Sequence, residues 1–164
     1  DNNLAIFTSR ADRNMDLLIE IWNSKIQIKN SKLKLLVTPP LINTSNPNIV
    51  ARSLRSKDLL IKDLLKSRLF LVPGHKAELY CLAAEEAREL CLPIVTLGIG
   101  SLSERVVHGK TGFIAKNHDE FANYTLNLFE DNDLWTSIRN HLFNLRGSKH
   151  WNKSVLELIN IIKS

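Results

Sequence analysis

The sequence predicts a doubly wound α/β domain built on a parallel sheet. Two observations carry this. Short, near-continuous apolar runs alternate with longer stretches of helical periodicity, and each run ends in a polar, glycine- or proline-bearing turn. Strands covered by helices on both faces read as unbroken apolar runs because neither face meets water. Alternation with helices is what crossovers between parallel strands require.

The first run is Leu4-Ala5-Ile6-Phe7, which ends in the polar loop 8–14. Leu17, Leu18, Ile21 and Trp22 then share one helical face. Leu35-Leu36-Val37 is the second strand, stopped by Pro39-Pro40. Asn43, Ser45, Asn46 and Pro47 mark an irregular, exposed connection. A helix is predicted over 57–66, and Leu69-Phe70-Leu71-Val72 forms the third strand before Pro73-Gly74. A helix over 80–90 leads to Ile94-Val95-Thr96, the fourth strand, with Gly98 and Gly100 just beyond it. A short helix at 103–108 and a turn at Gly109 precede the fifth strand, Gly112-Phe113-Ile114. Helical patterns fill 119–130, 133–144 and 152–163. The sum is a Rossmann-like single domain over 1–164, with five strands. In such sheets ligands sit beyond the carboxyl ends of the strands, so chemistry is expected in 8–14, 37–48, 73–81 and 96–104.

Composition narrows the function classes. A length of 164 residues, 44% of them apolar, makes one domain with a sizeable core. No apolar run reaches the roughly 18 residues of a membrane-spanning helix, and no basic-then-apolar leader is expected. The chain opens on Asp1 rather than Met, which suggests a piece of a longer protein. Cys81 and Cys91 are too few for a disulfide scaffold or a zinc site and fit a reducing compartment. The net charge is +5, and residues 1–70 hold twelve basic against six acidic side chains. Such a half suits nucleic acid, anionic lipid, a phosphorylated small ligand, or simply a solvated lysine-rich surface. No nucleic-acid-reading motif and no aromatic stacking platform accompanies it, so no nucleic acid partner is expected.

Three constellations fall at the expected strand ends. Arg10 and Arg13 bring two guanidinium groups beside a helix start, where planar donors and free N–H groups suit a diphosphate. They read equally as surface arginines flanking Asp12. No GxGxxG or GxxxxGK[ST] pattern is present. Glu78 falls at the mouth of the next helix and Glu86 almost two turns into it. Carboxylates there can accept hydrogen bonds from vicinal hydroxyls of a sugar or ribose, with the N–H groups of Cys81 and Leu82 beside them. Alternatively Glu85, Glu86 and Glu89 form a solvated face and Glu78 caps the helix. Gly98 and Gly100 allow a close backbone approach to a ligand, while Ser103 and Glu104 could simply begin a helix.

Taken in order, these segments resemble the C-terminal, donor-binding domain of family-4 (group 1) glycosyltransferases, which have the GT-B fold. Glu78, seven residues, then Glu86-Ala87 resembles the family's Glu-x7-Glu motif, and Leu92-Pro93-Ile94-Val95 follows at the family's usual distance. Gly100-Ser101-Leu102-Ser103-Glu104 resembles its Gly-Gly-x-x-Glu segment, and Gly109-Lys110-Thr111-Gly112-Phe113-Ile114 its Gly-x-Thr-Gly turn and last core strand. Phe7-Thr8-Ser9-Arg10 and Arg13-Asn14 resemble the loop that carries its basic phosphate pair, and Trp151 before the final helix also fits.

The resemblance implies a retaining transferase that moves a sugar from a UDP-, GDP- or ADP-linked donor to an acceptor, in cell-surface polysaccharide or glycolipid synthesis. It implies no metal and no cofactor beyond the nucleotide-sugar substrate. Arg10 and Arg13 would hold the diphosphate. Glu78 would stand beside the donor sugar as the catalytic-site carboxylate, and Glu86 would bind the ribose. Tyr80, Cys81, Leu82, Gly100 and Ser101 would complete the donor site. The acceptor site and a catalytic histidine would come from an N-terminal domain of the same protein, and the 164 residues alone would transfer nothing. None of His75, His108, His118, His141 and His150 falls in a pattern that replaces that histidine. A cytoplasmic location is implied, with peripheral attachment of the full-length enzyme to the inner face of the membrane. Two other readings compete: a non-catalytic α/β interaction module that has lost the nucleotide site, and a basic surface for RNA or lipid.

Overall fold

Strands β1 (Leu4–Phe7), β2 (Lys34–Val37), β3 (Ile49–Ala51), β4 (Leu69–Leu71), β5 (Ile94–Thr96) and β6 (Gly112–Ile114) form one sheet in the order β3-β2-β1-β4-β5-β6. Every pair is parallel. The computed structural model describes residues 2–38, 45–53, 56–147 and 159–160. Expectations placed on Pro39-Pro40, Asn43, His150, Trp151 and most of 152–163 lie outside the described residues.

The helices are α1 (Met15–Ile21), α2 (Gln27–Lys29), α3 (Lys57–Lys66), α4 (Leu82–Glu89), α5 (Leu102–Arg105), α6 (His118–Glu130) and α7 (Asn132–Leu145). A π-helical turn, Trp22–Ile26, joins α1 to α2. It swings the fully buried Trp22 into the core, where the indole N–H donates to Gln27 Oε1 at 2.7 Å. Lys25 and Lys29 then reach Asp119 (2.6 Å) and Asn123 (3.1 Å) on α6.

The central strands explain their own composition. Ala5, Ile6, Phe7, Leu69, Phe70 and Leu71 are all fully buried, as strands covered on both faces must be. The sixth strand corrects the five-strand expectation. Ile49–Ala51 lies at the sheet edge, only Ile49 is buried, and Val50 and Ala51 face outward, so no apolar run announces it. Two helix boundaries also shift. α4 starts at Leu82 rather than Tyr80 because Cys81 takes a left-handed conformation, φ 58°. α5 spans Leu102–Arg105 rather than 103–108. Asn117 and Asp131 cap α6 and α7 by accepting the N–H of Glu120 and Leu134, both at 2.9 Å.

The amino end of β4 is locked by Arg68. Its buried guanidinium donates to the Leu128 carbonyl and to Asn132 Oδ1, both at 2.8 Å, and stacks 4.4 Å from the Trp135 ring. Desolvation pulls its pKa down. This end lies opposite the carboxyl ends, which are left for chemistry.

Candidate donor-binding cleft

Strand order reverses between β1 and β4: the chain leaves β1 toward β2 and leaves β4 toward β5. Loops after two such strands part and open a crevice. The cleft here has a volume of about 510 Å³ and is lined by Arg10 and Arg13 from the first loop and by Glu78, Tyr80, Cys81, Leu82 and Glu86 from the second.

The first loop folds as a turn in which Arg13 N–H donates to the Arg10 carbonyl at 2.9 Å. Asn14 follows at φ 63°, a conformation asparagine tolerates better than most residues. Its side-chain amide donates to the Gly74 carbonyl and so ties the two loops together. Gly74 is required here: at φ +97°, a Cβ would lie 2.7 Å from the Ile99 carbonyl oxygen.

The two arginines are not equivalent. Arg10 is exposed, and its guanidinium pairs with Asp12 at 2.8 Å. Arg13 is held in the cleft, 17% exposed, with Nε 3.3 Å from Glu78 Oε2, a longer approach of 3.8 Å to Asp12, and Nη1 3.5 Å from His75 Nδ1. The Glu78 carboxylate does two things at once: Oε2 meets Arg13, and Oε1 accepts the Cys81 N–H at 3.0 Å. Of the two N–H groups expected to face a ligand, that of Cys81 is therefore taken in the free protein. Leu82 stands at the open N-terminal end of α4, where helix N–H groups lack intrahelical partners.

The glutamates on α4 divide by partner. Glu85 is partly buried and held in ion pairs with Arg88 (2.8 Å) and Arg105 (3.3 Å). Glu86 is exposed, lines the cleft, and forms no ion pair among the described residues. Of the expected solvated face, Glu85 is thus a structural charge and Glu86 a free one.

Gly100 and Ser101 were expected beside the donor; the structure places them behind the cleft wall. Ser101 N–H donates to the Glu78 carbonyl at 2.9 Å. Gly100, at φ +69°, packs so closely that a Cβ would meet the His75 carbonyl oxygen at 2.4 Å. Both support the turn that carries Glu78 without lining the cleft. Cys81 is buried, and desolvation pushes its thiol up to about 11, so it is a wall residue, not a nucleophile.

Sequence reasoning missed Arg105. Its Nε donates to the Tyr80 carbonyl at 3.1 Å, and its guanidinium carbon lies 4.0 Å from the Tyr80 ring centroid. The two residues are far apart in sequence and share no periodic pattern, so only the fold brings them together. Beside the cleft, Leu60, Ile61, Leu64, Leu82 and Leu90 line an apolar groove of about 290 Å³ between α3 and α4. No three His, Cys, Asp or Glu side chains among the described residues are grouped to hold a metal ion.

Residues 50–142, more than half of the chain, match the family model described as glycosyl transferases group 1. The chain belongs to the group 1 glycosyltransferases. A sequence search of curated proteins gave no match. Among solved structures, this group 1 glycosyltransferase chain is similar to TarM of S. aureus, with a TM-score of 0.80 and 20% identity over 99% of this chain and 35% of TarM. It is similar to HepE of Anabaena, solved in complex with UDP and glucose, with a TM-score of 0.78 and 16% identity over 97% of this chain and 48% of HepE. It is also similar to the C-terminal domain of the group 1 family protein LpcC of Francisella tularensis, with a TM-score of 0.68 and 17% identity over 87% of this chain and 82% of that domain. At these identities the likeness is one of fold. The chain spans about a third of TarM and half of HepE, as a single GT-B domain would.

Proposed function

We propose that this domain binds the nucleotide-sugar donor of a retaining, metal-independent glycosyltransferase. The observation that carries the reading is one cleft at the strand-order reversal that holds Arg13, Glu78, the α4 N-terminus and an unpaired Glu86. Arg13, with Arg10 at the rim, holds the diphosphate, and the Leu82 N–H adds a donor at the helix N-terminus. Fixed cations and helix dipoles of this kind stabilise a departing diphosphate, and one such donor contributes roughly 3–4 kcal/mol to a transition state. Glu78 accepts hydrogen bonds from hydroxyls of the sugar near the reacting carbon, and Glu86 accepts those of the ribose. HepE, solved with UDP and glucose, supports a uridine donor as the first to try.

The acceptor and a catalytic histidine belong to an N-terminal domain of the same protein, so the domain alone binds donor and transfers nothing. The full enzyme acts in the cytoplasm, at the inner face of the membrane, in cell-surface polysaccharide or glycolipid synthesis.

A module that had lost its nucleotide site would show both glutamates engaged by protein and no open crevice. Glu78 is engaged, but Glu86 is free and the cleft is open, which favours a working site. Thermal shift with UDP, GDP, ADP and their sugar-linked forms tests the reading. A site filled at about 100 times its Kd stabilises the fold by about 2.7 kcal/mol. No shift with any of them at millimolar concentration would sink it.

A further inference from the structure

Arg105 stands on α5, outside the cleft, yet it grips the cleft wall from behind. Nε donates to the Tyr80 carbonyl at 3.1 Å, the guanidinium stacks 4.0 Å from the Tyr80 ring centroid, and Nη1 reaches Glu85 at 3.3 Å. A planar guanidinium offers edge donors and a stacking face together, which an ammonium cannot. The Arg105 side chain is only 16% exposed, so the charge is held rather than solvated.

What it grips is a strained turn. Cys81 sits at φ 58°, a left-handed conformation uncommon outside glycine and asparagine. Such a conformation is sparsely populated outside glycine and persists only where the surroundings hold it. On the upstream side the Ser101 N–H holds the Glu78 carbonyl at 2.9 Å. On the downstream side Arg105 holds Tyr80, whose ring is half exposed and lines the cleft.

We infer that Arg105 is a positioning residue of the donor cleft. By fixing the carbonyl and ring of Tyr80, it keeps the Cys81 turn and the start of α4 in the shape that presents Glu78 and the Leu82 N–H to a nucleotide sugar. The inference rests on the donor-binding reading above.

The test uses a Cys91→Ser background, in which Cys81 is the sole thiol. In that parent and in its Arg105→Met, Arg105→Lys and Glu85→Gln derivatives, three things are measured: the rate of Cys81 labelling by DTNB, the affinity for UDP, GDP and ADP by calorimetry, and stability in urea. Arg105→Met should speed labelling about tenfold or more by local opening and weaken the tightest of the three nucleotides about tenfold. Arg105→Lys keeps the charge but not the stack or the Nε donor, so it should restore neither. Glu85→Gln leaves the grip on Tyr80 in place and should change labelling by less than about threefold. Losing the cation alone would make the thiol less acidic and slow the reaction, so faster labelling reads release of the turn. The inference is overturned if Arg105→Met leaves labelling and affinity as in the parent. It is equally overturned if both follow urea stability across all variants, Glu85→Gln included. A parent that binds none of the three nucleotides defeats the donor reading itself, a result separate from unchanged binding in Arg105→Met.

Discussion

Replacing Glu78 by glutamine separates the two tasks of its carboxylate. The amide oxygen can still accept the Cys81 N–H, so the turn keeps its bond, but the charge facing Arg13 is gone. Two unit charges at the observed 3.3 Å attract by about 5 kcal/mol at an effective dielectric of about 20, before desolvation is subtracted. A charge-assisted bond retains about 1–2 kcal/mol of that as net stability. Both side chains are mostly covered, 17% and 16% exposed, so the upper part of that range applies. For a chain of this size each kcal/mol shifts Tm by about 2–4 °C, which makes Glu78→Gln melt about 4–8 °C lower. Binding should move the opposite way. Arg13 no longer has to leave a carboxylate to meet a diphosphate, so UDP should bind about tenfold tighter, the equivalent of 1.4 kcal/mol. UDP-glucose, which would lose the carboxylate contact to its sugar, should show little or none of that gain. Urea unfolding and calorimetry with both ligands read the two effects. Unchanged stability together with unchanged UDP affinity would refute the picture of Glu78 as an internal counter-ion for Arg13.

Glu85→Ala and Glu86→Ala should divide cleanly: the first removes two partly buried ion pairs and should cost about 1–3 kcal/mol in urea without base or sugar selectivity, while the second should leave stability within about 0.5 kcal/mol and weaken nucleotide binding. Gly100→Ala must place a Cβ 2.4 Å from the His75 carbonyl at φ +69°, so it should destabilise by more than about 2 kcal/mol and weaken nucleotide binding as the Glu78 turn shifts, read by thermal melt and calorimetry. The Cys81 thiol, pushed up to about 11 by burial from an ordinary 9.0, gives stability a pH dependence of known sign. Below pH 9 folded and unfolded states both hold the proton and the group contributes nothing. Between pH 9 and 11 only the unfolded state releases it, so stability should fall by about 2 kcal/mol over that window, and Cys81→Ala should abolish that part of the slope in urea unfolding at stepped pH.

Much of the fold was legible because buried parallel strands announce themselves as apolar runs. β1, β2, β4, β5 and β6 do so; β3 does not, because Val50 and Ala51 face solvent at an edge and Ile49 alone carries the burial. The helices α6 and α7 were legible to within about a residue, since polar caps mark their starts. The start of α4 was not, because it depends on a left-handed cysteine, and nothing in a cysteine's composition signals that conformation. In the cleft, Arg13, Glu78 and Glu86 could be singled out by residue type and spacing. That Glu78 spends its charge on Arg13, that Glu85 and not Glu86 is the structural carboxylate, and that Arg105 reaches Tyr80 are properties of packing between distant segments. Periodicity has no access to them. Gly100 and Ser101 show a related limit: their bracing of the backbone that carries Glu78 is a packing role that residue type alone does not reveal.

The two wings of the sheet meet at β1 and β4, directly beneath the cleft. β1 and β4 share two registered residue pairs, against four between β1 and β2, and above that short ladder the Asn14 amide on the Gly74 carbonyl spans the gap. A molecule lodged between the first loop and α4 would touch both sides of that junction and act as a clasp across it. Occupancy would then register as mechanical stiffness: slower amide exchange in β1 and β4 together, on both sides of the junction, and not only in the residues that touch the ligand.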